Sequence, residues 1–146
     1  MLKNLYNSVN KSNVTIGVIG LGYVGLPLSI LFAKKKFKVI GFDIDKKKIQ
    51  ILNKSKSYIK RISDQEINKI YHRGFCTNNF SFIKNCDFII ICVPTPLKKN
   101  KPNLEYITST FSNIKSYLRE GQVLILESTS YPGTTREILS KNLSKR

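Results

Sequence analysis

The sequence has no apolar run approaching the roughly 18–20 residues that a membrane-spanning helix requires. Its first dozen residues are polar, rich in Asn and Lys, and lack the apolar core of a secretory leader. The expectation is therefore a cytoplasmic protein with no membrane partner. Histidine occurs once, as His72, and Cys76, Cys86 and Cys92 are spaced by ten and six residues without a Cys-x-x-Cys pair. A metal centre needs more ligands than this, so none is expected, and the cysteines read as buried, reduced thiols. Acidic residues are scarce, 9 against 25 basic ones, for a net charge of +16. That imbalance suits anionic partners. Yet lysines outnumber arginines 20 to 5 and fall in short groups at expected helix ends and loops, such as Lys34–Lys36, Lys46–Lys48 and Lys98–Lys99. No aromatic interleaving or nucleic-acid motif accompanies them, so no nucleic-acid partner is expected.

What is present is a glycine pattern in a specific context. Gly20, Gly22 and Gly25 follow the apolar run Val14–Ile19 and open a segment in which Val24, Leu28, Leu31 and Phe32 recur at helical spacing. Glycines so spaced permit a tight turn, close backbone approach to a pyrophosphate and close helix–strand packing. The amides at the start of the helix then carry partial positive charge toward the phosphates. A second strand, Lys38–Phe42, ends at Asp43, 23 residues after Gly20, where a carboxylate can accept hydrogen bonds from an adenosine ribose.

The rest alternates helix and strand without repeats or low-complexity linkers. A short helix from Asp45 to Leu52 precedes the connector Tyr58–Ile62. Ser63 and Glu66 form a capping box, continued by Ile67, Ile70 and Tyr71 and ended by Gly74. Phe75–Thr77 is a short third strand. Asp87–Val93 has no alternation and reads as a strand buried on both faces. After Pro94-Thr95-Pro96, a loop through Pro102 leads to a helix whose stripe is Leu104, Ile107, Phe111, Ile114 and Leu118. Gly121 ends it, Val123–Leu126 is the next buried strand, and a last helix follows Tyr131–Thr135. At 146 residues this suits one domain, an α/β chain with a doubly wound parallel sheet of Rossmann type. In such sheets ligands bind beyond the carboxyl ends of the strands. The glycine loop, Asp43, Thr95 and Thr129 all fall there.

With these residues in hand, the chain resembles the N-terminal NAD-binding domain of the UDP-glucose/GDP-mannose dehydrogenase family. The resemblance is carried by Gly20-Leu-Gly-Tyr-Val-Gly-Leu-Pro27, Gly41-Phe-Asp-Ile-Asp45, Cys92-Val-Pro-Thr-Pro96 and Glu127-Ser-Thr-Ser-Tyr-Pro-Gly-Thr-Thr135. Pro94-Thr-Pro96, Ser130–Thr135 and, more weakly, Ser57-Tyr-Ile59 are most similar to the UDP-N-acetylglucosamine 6-dehydrogenase branch. The resemblance implies oxidation of a nucleotide sugar's C6 alcohol to a carboxylate with NAD, on a UDP-sugar such as a UDP-N-acetylhexosamine. Carried over by position, it implies that Gly20, Leu21, Gly22, Tyr23, Val24 and Gly25 hold the pyrophosphate. Asp43 and Lys48 would meet the adenosine ribose, and Val93, Pro94, Thr95, Ser128 and Thr129 the nicotinamide half. Thr129 would also help position a water near the reacting carbon.

Each assignment has a plainer counterpart. Asp43 could cap the following helix, Lys48 be a solvated helix lysine, and Pro94 and Pro96 simply end a strand. Thr129 could cap the last helix, and Tyr23 pack as a loop aromatic. Asp43, with Asp45 nearby, favours NAD over NADP because a 2′-phosphate would be repelled.

Members of the family continue into a central helix and C-terminal regions that carry a nucleophilic cysteine, which forms a thioester with the sugar. None of Cys76, Cys86 and Cys92 sits in a matching loop. The expectation is a polar extension over residues 1–12 and an NAD-binding Rossmann domain over 13–146, incomplete at its C-terminal end, that binds NAD without completing the oxidation. A homo-oligomer is compatible with the complete enzyme. Competing readings are a stand-alone nucleotide-binding module and a dehydrogenase of the β-hydroxyacid type.

Overall fold

The computed structural model describes residues 13–98 and 101–130, together with 9, 133, 134 and 136. The expected N-terminal extension and the last helix lie largely outside these residues. β1 (Thr15–Ile19), β2 (Lys38–Phe42), β3 (Phe75–Thr77), β4 (Phe88–Ile91) and β7 (Val123–Leu126) form one sheet in the order β3-β2-β1-β4-β7. All four pairings are parallel. The helices are α1 (Gly25–Lys34), α2 (Lys46–Asn53), α3 (Asp64–Tyr71) and α4 (Glu105–Ile114), with a 3-10 helix over Phe80–Asn85.

Strand alternation distributes the core over two faces. Ile16, Val18 and Ile90 pack on one side with Leu28 and Phe32 of α1 and Phe37, which follows it. Leu21, Leu26 and Ile30 continue that layer against Ile49, Leu52, Ile67 and Ile70 of α2 and α3. On the opposite side Ile19, Ile40, Phe42, Ile89 and Ile91 meet Ile83, Phe111 and Ile114. The unalternating β4 is thus buried on both faces, as expected, because helices cover both. Full burial of each such side chain contributes about 1.5–3 kcal/mol. The capping box also forms: Ser63 Oγ accepts from the Glu66 amide, and a Glu66 carboxylate oxygen accepts from the Ser63 amide.

Several expectations change. Val24 and Leu31 are exposed, because the buried side of α1 runs through Gly25, Leu26, Ser29 and Ile30. β7 is only half-buried at every residue. Among the described residues its one sheet partner is β4. The helix over 105–114 gives way to a 3-10 turn before Leu118, which still packs on the core. The loop through Pro102 contains a small antiparallel ribbon, β5 (Leu97–Lys98) with β6 (Lys101–Pro102). Finally, α3 ends at Tyr71, and Gly74 serves close approach rather than helix termination: a Cβ there would lie 1.7 Å from the Val39 carbonyl oxygen.

Candidate functional site

The order β3-β2-β1-β4-β7 reverses direction between β1 and β4, and the chains leaving these two strands touch. Gly20 adopts φ +91°, and a Cβ on it would sit 2.7 Å from the Cys92 carbonyl oxygen. Its amide donates to the Phe42 carbonyl at 2.8 Å, so one residue ties together the ends of β1, β2 and β4. At Gly25 a Cβ would lie 1.9 Å from the Gly20 carbonyl oxygen, which lets α1 start directly behind the loop. Gly22 differs: nothing lies within 4 Å of the place its Cβ would take. Intramolecular packing therefore does not require glycine at position 22, and the space beside it is open to a ligand's approach. The N-terminus of α1 has no acidic residue in its first turn, and its N-cap, Val24, supplies no side-chain hydrogen bond. The positive end of the helix dipole is left for another anion.

Asp43 is 6% exposed, and a carboxylate so buried must be paired. Oδ2 accepts from the Leu21 amide at 2.9 Å and lies 3.4 Å from Lys48 Nζ. Oδ1 accepts from the Asp45 amide at 2.9 Å. Asp43 does not cap the following helix. Asp45 does, accepting from the amides of Lys47 and Lys48. That leaves the second carboxylate to bind the glycine loop while facing open space. Lys48 is held between Asp43 and the ring of Tyr58, with Nζ 5.9 Å from the ring centroid. The Tyr58 hydroxyl donates to the Leu21 carbonyl. Burial, followed by the negative charge of Asp43, raises the Tyr58 phenol well above its ordinary value, so it stays a donor at any physiological pH.

On the other side of the switch, the Ser128 hydroxyl donates to the Val93 carbonyl at 2.7 Å, joining the chain after β7 to the chain after β4. Thr129 is exposed and Thr95 half-buried.

A cleft of about 830 Å³ lies across these elements. Its walls include Gly20, Gly22, Tyr23, Val24, Asp43, Lys48, Val93, Pro94, Thr95, Ser128 and Thr129. Two expected residues are not on the lining. Leu21 has a fully buried side chain with both backbone groups bonded inside the protein, and Gly25 is buried behind the loop. The cleft also has walls that the sequence reading missed. Tyr106, Ser109, Thr110 and Asn113 line it from α4. Their i, i+3, i+4, i+7 spacing puts them on one helix face, a signal the neighbouring apolar stripe overshadowed. Tyr58 and Phe80 come from connectors and carry no comparable periodic signal.

The cysteines offer no nucleophile. Burial pushes the Cys76 thiol up to about 11, Cys86 to about 12 and Cys92 to about 11, so all three are protonated near neutral pH. Only Cys92 touches the cleft. Among the described residues no cluster of His, Cys, Asp and Glu could hold a metal, and no helix is long and apolar enough to cross a membrane.

These residues fit a dinucleotide: open space over Gly22, an uncapped helix N-terminus for a pyrophosphate, and a buried carboxylate with a lysine where a ribose would lie. Residues 14–146 match the model of the UDP-glucose/GDP-mannose dehydrogenase family, NAD binding domain. The chain is 38% identical over 125 residues to the UDP-N-acetyl-D-glucosamine 6-dehydrogenase of Salmonella typhi, covering 85% of this chain and 29% of that protein. It is 39% identical over 135 residues to the UDP-N-acetyl-D-mannosamine dehydrogenase of Campylobacter jejuni, covering 90% and 32%. The fold matches the solved UDP-D-ManNAc dehydrogenase of Pyrococcus horikoshii with a TM-score of 0.82 at 33% identity, over 90% of this chain and 33% of that one. The chain thus spans about a third of the length of these relatives, the third that contains the glycine loop. It belongs to the UDP-glucose/GDP-mannose dehydrogenase family and corresponds to that family's NAD-binding domain.

Proposed function

We propose that residues 13–146 form the NAD-binding domain of an enzyme that oxidises the C6 alcohol of a UDP-N-acetylhexosamine to a carboxylate. NAD is the hydride acceptor in that chemistry. The α1 N-terminus and the amides around Gly22, Tyr23 and Val24 bind the pyrophosphate. Asp43 and Lys48 orient the adenosine ribose, with the carboxylate disfavouring a 2′-phosphate. Val93, Pro94, Thr95, Ser128 and Thr129 border the nicotinamide half, and Thr129 positions a water near the reacting carbon. The single observation that carries this reading is the convergence of the glycine loop, the Asp43–Lys48 pair and the Ser128–Val93 junction on one cleft at the switch point. The sugar class rests on the names of the UDP-N-acetylhexosamine dehydrogenases that the chain resembles. With Cys76 and Cys86 buried, Cys92 half-buried rather than buried as expected, and all three thiols protonated, the covalent step is assigned to a residue other than these.

Calorimetric titration of the purified chain tests the cofactor: saturable NAD binding with weaker NADP binding is expected, and no NAD binding overturns it. The protein carrying this domain, assayed for NADH formation, tests the substrate. Turnover of UDP-N-acetylhexosamines supports the reading; turnover of GDP-mannose alone overturns it.

A further inference from the structure

We propose that Tyr58 is a positioning residue that locks the glycine loop in register for the dinucleotide pyrophosphate; this rests on the NAD-site reading above. The Leu21 peptide lies between Gly20 and Gly22 and is gripped at both polar atoms by groups from distant elements. Its N–H is held by Asp43 at the end of β2, and its carbonyl by the Tyr58 hydroxyl from the connector between α2 and α3. Its side chain is fully buried among Leu26, Ile49, Ile59 and Cys76. With Leu21 fixed, the next three residues, Gly22, Tyr23 and Val24, present themselves to the cleft.

The grip closes into a ring: Leu21 to Asp43, Asp43 to Lys48, Lys48 to the face of Tyr58, and Tyr58 back to Leu21. The connector that carries Tyr58 is itself anchored. The Ser57 amide donates to Asp64 Oδ1 at 2.8 Å, the Ile59 amide donates to Ser57 Oγ at 3.1 Å, and Ile59 is buried. Tyr58 therefore does two separable jobs. Its hydroxyl sets the loop, and its ring seats the lysine beside the buried carboxylate. Holding the loop before the ligand arrives removes an ordering cost from binding.

Tyr58→Phe separates the two jobs, because it keeps the ring under Lys48 and removes the bond to Leu21. Calorimetric titrations with NAD, ADP and adenosine read the result. NAD and ADP are expected to bind roughly three- to tenfold more weakly, the size of one hydrogen bond, with adenosine unchanged. Unchanged NAD affinity overturns the proposal. So does an equal loss for adenosine, which marks a general structural effect rather than loop positioning. Absence of NAD binding by the unsubstituted chain overturns the cofactor reading itself, a different failure. Should the variant not fold, the unsubstituted chain decides by NMR. A Tyr58 hydroxyl proton protected from solvent exchange supports the latch, and one in fast exchange overturns it.

Discussion

The two ends of the parallel sheet are built from the same chemistry and do different things. At the amino end of β4, Asp87 accepts from the Thr15 amide at 2.9 Å and from Arg119 at 2.6 Å. Arg119 also bonds the Lys84 and Cys86 carbonyls, and the Gln122 amide donates to Ile83 and Cys86. At the carboxyl end of β2, Asp43 accepts from the Leu21 amide at 2.9 Å with Lys48 at 3.4 Å. Both sites join one carboxylate, one backbone amide from the β1 chain and one cation. Asp87 clamps strand starts together, while Asp43 stands on the wall of the 830 Å³ cleft. The difference lies in the surroundings. At the carboxyl ends the chain must turn away through the glycine loop, which leaves space and a helix N-terminus with no side-chain cap; at the amino ends the 3-10 helix and the turn before β7 fill the space with carbonyls that Arg119 and Gln122 bond.

The comparison can be broken by substitution. Gly25→Val should have the largest effect, since the new side chain starts 1.9 Å from a backbone oxygen. It should abolish NAD binding and cost at least about 3 kcal/mol in urea unfolding; a variant of normal stability and affinity would remove the glycine loop from the argument. Asp43→Ala should follow, weakening NAD about 10- to 100-fold by calorimetry as a charged hydrogen-bond acceptor is lost. Unchanged affinity there would make the two ends equivalent. Asp87→Ala should lower unfolding free energy by about 1–3 kcal/mol while leaving NAD affinity within about twofold. A large loss of NAD affinity in that variant would show that the amino end also shapes the cleft.

Much of this contrast was legible in the chain. The glycine spacing, the carboxylate ending β2, the unalternating β4 and the Ser63–Glu66 capping box all depend on local geometry, and local geometry repeats wherever the same residues recur. Tyr58 was legible as part of a connector and of the weaker Ser57-Tyr-Ile59 resemblance, but its contact was not, because its hydroxyl meets a carbonyl 37 positions earlier in the chain. The division of labour between Asp43 and Asp45 was equally hidden. By sequence Asp43 could have been the cap of α2; in the fold Asp45 is, and the location of the Leu21 amide gives Asp43 the loop to hold. The apolar recurrence in α1 misplaced Val24 and Leu31. Spacing marks a stripe without saying which edge the neighbours α2 and α3 cover.

The sequence by itself determined the kind of fold and the end of the sheet where a ligand belongs, since right-handed crossovers and glycine-permitted turns leave few alternatives. It also set the family, through motifs spread from Gly20 to Thr135. Only the tertiary structure decided which polar groups share one space. Leu21 and Gly25 turned inward as supports, Tyr58 and the α4 face Tyr106–Asn113 became walls, and β7 remained half-buried. The reason is that hydrogen bonds and burial depend on distances across the folded chain, and these exist only once the helices have closed over both faces of the sheet.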